Sequence, residues 1–365
     1  MMRKLLYIHN GDFPAESANR VQVINMCEGF VENDIDVSLL AFESDMFQTE
    51  NNLFDSFGVK NKFHLILIKK LGNYYIRSIK IFFYFTFQLR KEFDSIFTRD
   101  LFVAFLIKVF FQNKKVVYEL HEINERVLWK KLFKITFDRL DKLVVISNGL
   151  KIELVNSGYN GNKIEVLHDG VNLGRFVGLK KEIGNDKINI TYTGSLIPWK
   201  GVETLLKAFE TIHIDNVYLN IYGGNKNEIW VLKNKYKDNN IIFHGRVDNK
   251  YIPQILMNSD ILVLPNSGKY KISTDYTSPL KLFEYMAAGK VIIASNLPSI
   301  NDVLSDEECI FFKADNCIDL KDRILLVLGK KVNIEKMKNN CNSKIKNYTW
   351  KIRGGKIYLN KQGEG

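Results

Sequence analysis

Short apolar runs alternate with amphipathic segments of helical length over nearly the whole chain, and this alternation constrains the fold more than any other feature. Short apolar strands separated by helices indicate parallel sheets that helices cover on both faces. A chain of 365 residues is also too long for one ordinary domain. Thirteen runs are predicted as strands, and this number exceeds what one open Rossmann sheet contains. They are residues 5–9, 37–42, 63–68, 95–97, 116–120, 143–146, 164–167, 188–193, 218–222, 241–244, 261–264, 291–294 and 310–312.

The predicted fold class is therefore α/β, with two Rossmann-like domains whose parallel sheets face a central cleft. Open parallel sheets bind ligands at the carboxyl ends of their strands, so we expect the active site in that cleft. A lysine- and glycine-bearing stretch at residues 176–187 separates two strand runs. We predict a first domain over residues 1–175 and a second over 176–348, with the tail 349–365 packing back on the first.

The chain is basic, with 52 Lys and Arg residues against 41 Asp and Glu residues and a net charge of +11. Such a surface attracts phosphate-rich partners, which include nucleic acid, anionic lipid and nucleotide sugars. Nucleic acid is disfavoured because the basic residues are spread through α/β elements and no binding module is recognised. A dinucleotide-dependent oxidoreductase is disfavoured because no G-x-G-x-x-G follows the first strand.

The cysteines and the first apolar run predict a cytoplasmic location. The four cysteines are scattered without metal-ligand spacing, which is typical of reduced structural thiols. The apolar run at residues 5–9 is too short for a signal peptide and predicts a buried first strand instead.

Basic and aromatic side chains interleave over residues 69–91, and a second apolar stretch follows over 101–111. Lysine and arginine interrupt these stretches, so neither offers the ~20 apolar residues that a membrane-spanning helix needs. One interpretation is a helix that lies on an anionic membrane surface. The other is a pair of buried helices whose lysines reach outward to solvent. The sequence leaves both interpretations open.

Residues 275–289 carry the clearest sign of chemistry, with the sequence Asp-Tyr-Thr-Ser-Pro-Leu-Lys-Leu-Phe-Glu-Tyr-Met-Ala-Ala-Gly. Ser278 is a good N-cap and Pro279 fits the first helical position, so the next two residues are predicted to present free amides. Free amides, the positive end of the helix and the charge of Lys281 make an anion site. Glu284 can share that face, where a carboxylate can accept both hydroxyls of a ribose. The alternative is a capped structural helix with a surface Lys–Glu pair.

This segment resembles the donor-site signature of the family 4 glycosyltransferases, which are retaining enzymes of the GT-B fold. The usual signature is Glu, seven residues and Glu, followed by an alanine-rich helix and glycine; Glu284 matches the second glutamate, which binds the donor ribose in the family. The first glutamate falls on Tyr276, so Asp275 or Tyr276 is expected to hold the donor sugar instead. A branch with Ser-Pro-x-Lys before Glu-Tyr-Met-Ala is more similar, and it implies donor contacts at Ser278 and Leu280.

Further matches follow in the family's order along almost the whole chain. Gly194 and Ser195, with Lys200 shortly after them, resemble the Gly-Arg…Lys-Gly element that opens the second domain. Lys200 matches the lysine that binds the donor pyrophosphate in the family. Ser195 occupies the arginine position, so one phosphate cation is absent, and from charge balance we expect Lys281 to compensate.

His121 lies at the carboxyl end of the strand over residues 116–120 and matches the family's histidine that faces the donor sugar. Taken alone, such a histidine is more often structural. Arg246 and Val247 follow a strand-to-loop glycine turn. By the resemblance, the backbone at these two residues reads the nucleotide base.

The family's usual N-terminal Gly-Gly loop is not present. Gly11 is instead followed by Ser17-Ala18-Asn19-Arg20, which is predicted to open a helix that points into the cleft. Asn19 is the candidate contact there, toward the donor phosphate or the acceptor, and Arg99 is a second cleft residue.

The resemblance implies transfer of a hexosyl-type group from a nucleoside diphosphate sugar to an acceptor hydroxyl, with retention and without a named nucleophile. The predicted catalytic residues are His121, Lys200 and Lys281, and the two lysines stabilise the departing diphosphate. No cofactor and no metal are expected. Asp34 and Asp36 fit the Asp-x-Asp metal pair of the other main glycosyltransferase fold, but they stand at the amino end of a strand and predict a solvated turn.

The expected partners are a nucleotide sugar and a saccharide or lipid-linked acceptor as in cell-surface glycan assembly. The membrane interpretation adds an anionic surface at the inner face of the plasma membrane. Two other functions stay open. One is a sugar-nucleotide epimerase of the same fold, which acceptor-dependent nucleotide release would exclude. The other is a degenerate transferase that only binds nucleotide sugar, which donor turnover with an acceptor would exclude.

Overall fold

A computed structural model describes residues 3–13, 18–45, 49–70, 72–182 and 187–359. The chain divides into two compact units: Met1–Gly170 together with Thr349–Gly365, and Val171–Tyr348. Each unit contains one parallel sheet with helices between its strands, and the described residues form thirteen strands in all. Every strand that the sequence predicts overlaps one of them, and the predicted α/β class is confirmed.

The first unit contains a seven-stranded sheet. Its strands are β1 (Arg3–Phe13), β2 (Ile35–Glu43), β3 (His64–Ile68), β4 (Ser95–Thr98), β5 (Lys115–Leu120), β6 (Lys142–Val145) and β7 (Ile164–Val166). Its helices are α1 (Ala18–Val31), α2 (Glu50–Phe57), α3 (Tyr74–Tyr84), α4 (Leu101–Phe110), α5 (Val127–Phe137) and α6 (Asn148–Asn156), and a π-helical turn, Phe85–Leu89, continues α3. The strands pair in parallel in the order β3-β2-β1-β4-β5-β6-β7.

The second unit contains a six-stranded sheet. Its strands are β8 (Ile188–Thr193), β9 (Val217–Tyr222), β10 (Ile241–Gly245), β11 (Ile261–Leu264), β12 (Val291–Ser295) and β13 (Ile310–Phe312). Its helices are α7 (Val202–Phe209), α8 (Lys226–Lys235), α9 (Ile252–Met257), α10 (Lys271–Thr274), α11 (Leu280–Ala287), α12 (Pro298–Asn301), α13 (Cys317–Leu328) and α14 (Ile334–Lys344). The order is β10-β9-β8-β11-β12-β13, again parallel throughout.

Burial on both faces of the second sheet explains why its strands appear as continuous apolar runs. Val263 and Ile293 pack into one hydrophobic cluster, whereas their neighbours Leu262 and Ile292 pack into another. Successive side chains of a strand point to opposite faces, so a strand with both faces covered needs apolar residues at every position.

Strand β1 extends further than the predicted run over residues 5–9. Its pairing with β2 shifts register between Ile8 and Asp12 and then continues through Phe13. The polar residues Asn10 and Asp12 suggested an end of the strand, but β2 runs on to Glu43 and offers further pairing. The helix start predicted at Ser17 falls outside the described residues, and α1 is described from Ala18.

The division between the units falls after Gly170, five residues before the predicted boundary at 175. Val171 donates its amide to Tyr348 O and belongs to the core of the second unit, against which Leu173 and Phe176 also pack. These apolar side chains follow the last strand of the first unit, and the lysine- and glycine-bearing stretch that set the predicted boundary begins only at residue 176.

A terminal helix, α15 (Trp350–Leu359), packs against α1 in the first unit. The two helices approach so closely that a Cβ at Gly29 would lie 2.4 Å from Trp350 O, and Asn33 Nδ2 donates to Lys351 O at 2.7 Å. Throughout the described part of the chain, every helix is too short or too polar to cross a membrane.

Candidate functional site

Each sheet has one point at which the order of its strands reverses: between β1 and β4 in the first unit, and between β8 and β11 in the second. Open α/β sheets bind ligands in the crevice at the carboxyl ends of the strands beside such a point. Gly11 and Arg99 lie at this edge of the first sheet, and Gly194 lies at the corresponding edge of the second.

A buried carboxylate, Glu119 of β5, stands at the centre of the first site with 1% of its surface exposed. Its Oε1 accepts a hydrogen bond from Gln22 Nε2 at 2.8 Å and lies 2.6 Å from His121 Nε2. Its Oε2 accepts a hydrogen bond from the Arg353 guanidinium at 2.7 Å. Burial by itself raises the pKa of a carboxyl, but the charge of Arg353 and the bond from His121 outweigh it. The pKa of Glu119 is therefore well below its usual range, and the group is ionised.

His121 is held neutral beside this carboxylate. Burial and then the charge of Arg99 lower its pKa to about 4, against the opposing influence of Glu119. Because an ionised carboxylate can only accept, the neutral imidazole donates its Nε2–H to Glu119. This tautomer leaves Nδ1 as a hydrogen-bond acceptor on a side chain that is 23% exposed.

The same network joins two residues that the sequence predicted for the cleft. Arg99 donates to Asn19 Oδ1 at 2.7 Å and to Gln22 Oε1 at 2.9 Å. Sequence reasoning missed Gln22, Glu119 and Arg353. A charged residue inside an apolar strand is the signal that could have found Glu119. Arg353 lies 234 residues further along the chain, so no local pattern could have linked the two.

Gly11 stands where a side chain would have no room. A Cβ at this position would lie 2.4 Å from His9 Nε2 and 2.8 Å from the Arg20 guanidinium. His9 is buried, and its Nε2 has no hydrogen-bond partner within the described ranges. Burial, followed by the charges of Arg99 and Arg20, lowers the pKa of His9 well below its usual value. The first site thus presents two neutral histidines among arginines.

In the second unit, the buried side-chain nitrogen of Lys281 has no hydrogen-bond partner among the residues that the structure describes. Its Nζ lies 3.8 Å from the centre of the Tyr192 ring, and a Cβ at Gly194 would be 3.0 Å from it. Burial and then the charge of Lys200 lower its pKa well below the usual value. Buried polar groups in folded proteins are nearly always bonded, so this nitrogen indicates a place for a ligand.

Lys200 contributes a second cation to the same site. It ends the short 3₁₀ turn Pro198–Lys200, with its Nζ 3.7 Å from the centre of the Trp199 ring. Burial lowers its pKa to about 7. Gly201 fixes the backbone here, because it has a φ of 68° and a Cβ would lie 1.8 Å from Pro265 O.

Helix α11 begins one residue later than predicted. Its N-cap is Pro279, with extended backbone and no side-chain cap, so the assignment of Ser278 as the cap is wrong. The Pro279 carbonyl already accepts the Leu282 amide at 2.9 Å, which makes Pro279 the boundary residue. The amides of Leu280 and Lys281 precede the first residue that can bond back into the helix. Ser278 itself is buried.

Glu284 lies one turn further along α11 and is half-buried. Its carboxylate makes no hydrogen bond and no ion pair with any described residue. Burial raises its pKa, while the charges of Arg175 and Lys281 act in the opposite direction. The alternative of a surface Lys–Glu pair is wrong, because Lys281 is buried and the two side chains form no ion pair.

The remaining predicted residues lie further apart. Ser195 is exposed, and its carbonyl accepts the Tyr192 hydroxyl at 2.6 Å. Tyr276 is buried. Arg246 and Val247 follow β10 at the edge of the sheet, which β9 separates from β8. The structure therefore brings Lys200 and Lys281, the lysine pair, together with the glycine turn at Gly194. It leaves the two residues predicted for base recognition at the sheet edge.

The Asp-x-Asp pair takes part in a turn and a strand. Asp34 has a left-handed φ of 57° directly before β2, and Asp36 lies within that strand. No group of three His, Cys, Asp or Glu side chains that could hold a metal ion occurs in the described part of the chain.

Two families match the chain. Residues 20–175 match the family described as Glycosyltransferase Family 4, and residues 187–330 match the family described as Glycosyl transferases group 1. The chain is 26% identical over 296 residues to an uncharacterised glycosyltransferase of Methanocaldococcus jannaschii, with 73% of this chain and 74% of that protein covered. Over 93 residues it is 34% identical to a Bacillus subtilis protein named as a teichuronic acid biosynthesis glycosyltransferase, with 25% of this chain and 22% of that protein covered.

The fold itself recurs in solved structures. Anabaena HepE, solved in complex with UDP and glucose, has a TM-score of 0.74 and 13% identity, with 99% of this chain and all of that chain covered. This likeness and the two parallel sheets identify the two-domain α/β architecture as the GT-B fold.

Proposed function

We propose that this chain transfers a hexosyl-type group from a nucleoside diphosphate sugar to an acceptor hydroxyl. The family matches and the fold support a glycosyltransferase of the family 4 type. The proposal includes retention of the anomeric configuration and catalysis without a metal ion. The observation that carries it is the buried side-chain nitrogen of Lys281, which has no hydrogen-bond partner among the described residues at the carboxyl edge of the second sheet.

We infer that a diphosphate is the ligand for this site. An unpaired buried ammonium is unfavourable, so burial lowers the pKa of Lys281, and the charge of Lys200 lowers it further. The first amides of α11 and the positive end of its dipole favour an anion at the same place. A group with two adjacent phosphates can neutralise Lys200 and Lys281 together, whereas a neutral ligand cannot.

The proposed step uses these cations on the leaving group. The bond between the anomeric carbon and the diphosphate oxygen breaks, and the acceptor oxygen forms its bond on the same face. The acceptor proton passes to the departing phosphate oxygen. Lys200, Lys281 and the helix amides stabilise the charge that develops there, which is the largest contribution that a fixed site can make. No enzyme nucleophile is required.

The other residues of the second unit are assigned to the donor. Glu284 has a carboxylate without a partner in the described chain and is proposed to accept the ribose hydroxyls. Gly194 lets the backbone approach the phosphates, because it carries no side chain beside the Lys281 ammonium. Ser195, Tyr276, Ser278 and Leu280 complete the donor contacts, and the backbone at Arg246 and Val247 is proposed to contact the base.

The residues of the first unit are assigned to the sugar and the acceptor. His121 presents Nδ1 as an acceptor because its Nε2–H is committed to Glu119, and we assign Nδ1 to a hydroxyl of the transferred sugar. Arg99 and Asn19, which are bonded to one another, and the backbone at Gly11 are proposed to contact the acceptor or the donor phosphate.

The acceptor is proposed to be a saccharide or a lipid-linked glycan in polysaccharide assembly at the inner face of the plasma membrane. The relative named for teichuronic acid biosynthesis supports this pathway class. The UDP and glucose bound by Anabaena HepE make UDP the first nucleotide to test.

Thermal stabilisation by nucleotides tests the donor site without knowledge of the acceptor. Purified protein is melted with UDP, GDP, ADP and their sugars in the absence of metal, for wild type, Glu284→Ala and the surface control Glu335→Ala. A ligand at a hundredfold excess over Kd stabilises the folded state by about 2.7 kcal/mol. We expect one diphosphate to raise Tm in the wild type and the control but not in Glu284→Ala.

Three results would count against the proposal. No shift with any nucleotide would contradict a donor site in the second unit. Selective binding without sugar transfer to glycan or lipid-linked acceptors would favour the degenerate transferase, and conversion of the donor without an acceptor would favour the epimerase.

A further inference from the structure

Three neighbouring helical segments form a continuous layer in the first unit. Helix α3 packs against α4, and α4 packs against α5. The connections from β4 through α4 to β5, and from β5 through α5 to β6, link parallel neighbours, and such crossovers are right-handed, so these helices cover one face of the sheet. We call residues 73–91, 101–111 and 126–137 the helix layer.

The inner side of the layer is core, whereas its outer side is apolar and exposed. Ile81, Phe82 and Phe85 are buried. Eleven of the twenty-four exposed large hydrophobic side chains of the described chain lie in this layer: Tyr74, Tyr75, Ile76, Ile79, Phe83, Phe87, Val109, Phe110, Val127, Leu128 and Ile135. Single exposed apolar residues are normal in soluble proteins, but such a concentration marks an interaction surface.

Ring contacts make the aromatic part of this surface continuous. The Tyr75 ring contacts Phe102 with centroids 5.7 Å apart, and the Phe83 ring stacks on Phe87 at 6.2 Å. Phe110, on α4, lies 5.4 Å from the buried Phe82 of α3. The surface therefore spans both helices rather than consisting of isolated side chains.

The charge of the layer has one sign. Its three segments contain no Asp and no Glu, but they contain nine basic residues: Arg77, Lys80, Arg90, Lys91, Lys108, Arg126, Lys130, Lys131 and Lys134. Some are neutralised from outside the layer, since Arg77 pairs with Asp12, Lys108 with Asp141 and Lys130 with Glu125. The exposed cations include Arg90, Lys91, Arg126, Lys131 and Lys134.

We propose that the outer side of the helix layer docks on an anionic membrane surface. Such a surface requires aromatic side chains that enter the headgroup region. It also requires lysines and arginines beside them that bind anionic lipid. A docking site for a folded protein is expected to be depleted in lysine, whereas this surface has Lys91, Lys131 and Lys134 exposed beside its aromatic side chains. Both sequence interpretations are thereby combined, because the helices are buried on one side and membrane-facing on the other.

The layer begins at the edge of the sheet that carries the first site. Asn10 Nδ2 donates to Tyr74 O at 3.1 Å and to Asp100 Oδ2 at 2.6 Å, and Asp100 caps α4. The starts of α3 and α4 therefore adjoin the residues assigned to the acceptor, Arg99 among them. This inference rests on the proposed function in one respect: the docked enzyme would meet a lipid-linked acceptor at the membrane itself.

Vesicle binding by the full chain tests the docking. Phosphatidylcholine vesicles with and without phosphatidylglycerol are sedimented with wild type, Phe83→Ser/Phe87→Ser, and Lys131→Glu/Lys134→Glu. Since each charge near an anionic surface contributes appreciably, reversal of two lysines should weaken binding about a hundredfold or more. Both pairs are exposed, so the fold is expected to be retained.

Matched controls lie in the second unit. Trp230→Ser/Val231→Ser removes two equally exposed apolar side chains from α8, and Lys233→Glu/Lys237→Glu makes the same charge change. We expect both controls to bind anionic vesicles as the wild type does, with binding that weakens at high salt. Nucleotide-induced thermal shifts should be equal in all variants, so loss of docking is distinguishable from loss of the donor site.

Three results would overturn the inference. One is failure of the wild type to bind anionic vesicles, and another is equal binding of the layer variants and their controls. The third is a wild-type dimer in solution that the layer variants convert to a monomer, without vesicle binding by either, because the layer would then be an interface between copies of the chain.

Discussion

The two units treat a buried charge in opposite ways. In the first unit, the Glu119 carboxylate accepts hydrogen bonds from Gln22 and Arg353 and lies within bonding distance of His121. In the second, Lys281 Nζ lies over the face of an aromatic ring and near the charge of another lysine, but it has no acceptor in the described part of the chain. The Glu119 carboxylate is thus paired through both of its oxygens, whereas Lys281 Nζ has no acceptor within the described chain.

This difference separates positioning from binding. A saturated buried network has little to gain from a ligand, but it fixes the tautomer and orientation of the side chains at its edge. A buried polar group without a partner can form a new hydrogen bond or ion pair with a ligand, and this interaction contributes to the binding free energy. We therefore attribute the orientation of His121 to the first unit and the affinity for the diphosphate to the second.

The largest expected effect is a loss of stability when the Glu119 network loses Arg353. Arg353→Met leaves Glu119 as a buried charge without its strongest partner and should lower the free energy of unfolding by about 3–5 kcal/mol. Urea-induced unfolding measures this loss. Arg246→Met, which removes an exposed arginine of the second unit, is the control and should change little.

A double variant distinguishes an unpaired charge from lost packing. Glu119→Gln/Arg353→Met removes both charges together and should recover part of the stability that Arg353→Met loses. If Arg353→Met were as stable as the wild type, the first network would not be the closed arrangement described.

The next effect concerns the unsaturated site. Lys281→Met keeps the apolar stem and removes the ammonium, so Kd for the preferred nucleoside diphosphate should rise about tenfold to a hundredfold, as for lost hydrogen bonds to charged groups. The free protein should not lose stability, because an unpaired buried group is removed. Calorimetry and thermal melting measure the two quantities. Lys290→Met, a half-buried lysine beyond the other end of α11, is the control; an equal loss of affinity there would remove the special role of Lys281.

A smaller effect is expected at the hydrogen bond that supports the glycine turn. The Thr193 amide donates to the Tyr285 hydroxyl at 3.0 Å, immediately before Gly194. Tyr285→Phe leaves that amide unsatisfied and should cost about 1–2 kcal/mol in the free energy of unfolding. Tyr251→Phe, at a tyrosine that is 55% exposed, should cost nothing measurable. An equal, small effect of both changes would show that the turn does not depend on this bond.

The sheets could be predicted from the sequence because parallel strands covered on both faces are continuous apolar runs between helices. The continuation of β1 through Asn10, Gly11 and Asp12 could not, because its local residues indicate a turn and only the length of β2 extends the pairing. The N-cap of α11 was misassigned by one residue for a related reason: Ser278 has the better side chain, but backbone bonding sets the helix boundary at Pro279.

The candidate sites divide in the same way. The lysine pair and Glu284 could be singled out because a helix start, two cations and a carboxylate occur at recognisable spacings. Arg353 could not, because its bond to Glu119 joins the terminal helix to a strand far earlier in the chain. The assigned roles in sugar transfer stay predictions until a nucleotide is bound.

The central claim is that Lys200 and Lys281 of the second unit have no negatively charged partner until a diphosphate binds. The pKa of Lys200 is lowered to about 7 and that of Lys281 is also lowered, so at about pH 8 a bound anion should raise both and draw protons from solution. Affinity should then fall as pH rises above 7, by up to about tenfold per unit for each proton taken up.

Calorimetry of nucleotide binding at about pH 8, in buffers with different heats of ionisation, measures this uptake directly, and the phosphates of the ligand are already ionised there. The account predicts uptake of about one proton or more in the wild type and less in Lys281→Met. Binding without proton uptake, with a Kd that is constant above pH 7, would contradict it, because the lysines would then be fully charged before the ligand arrives.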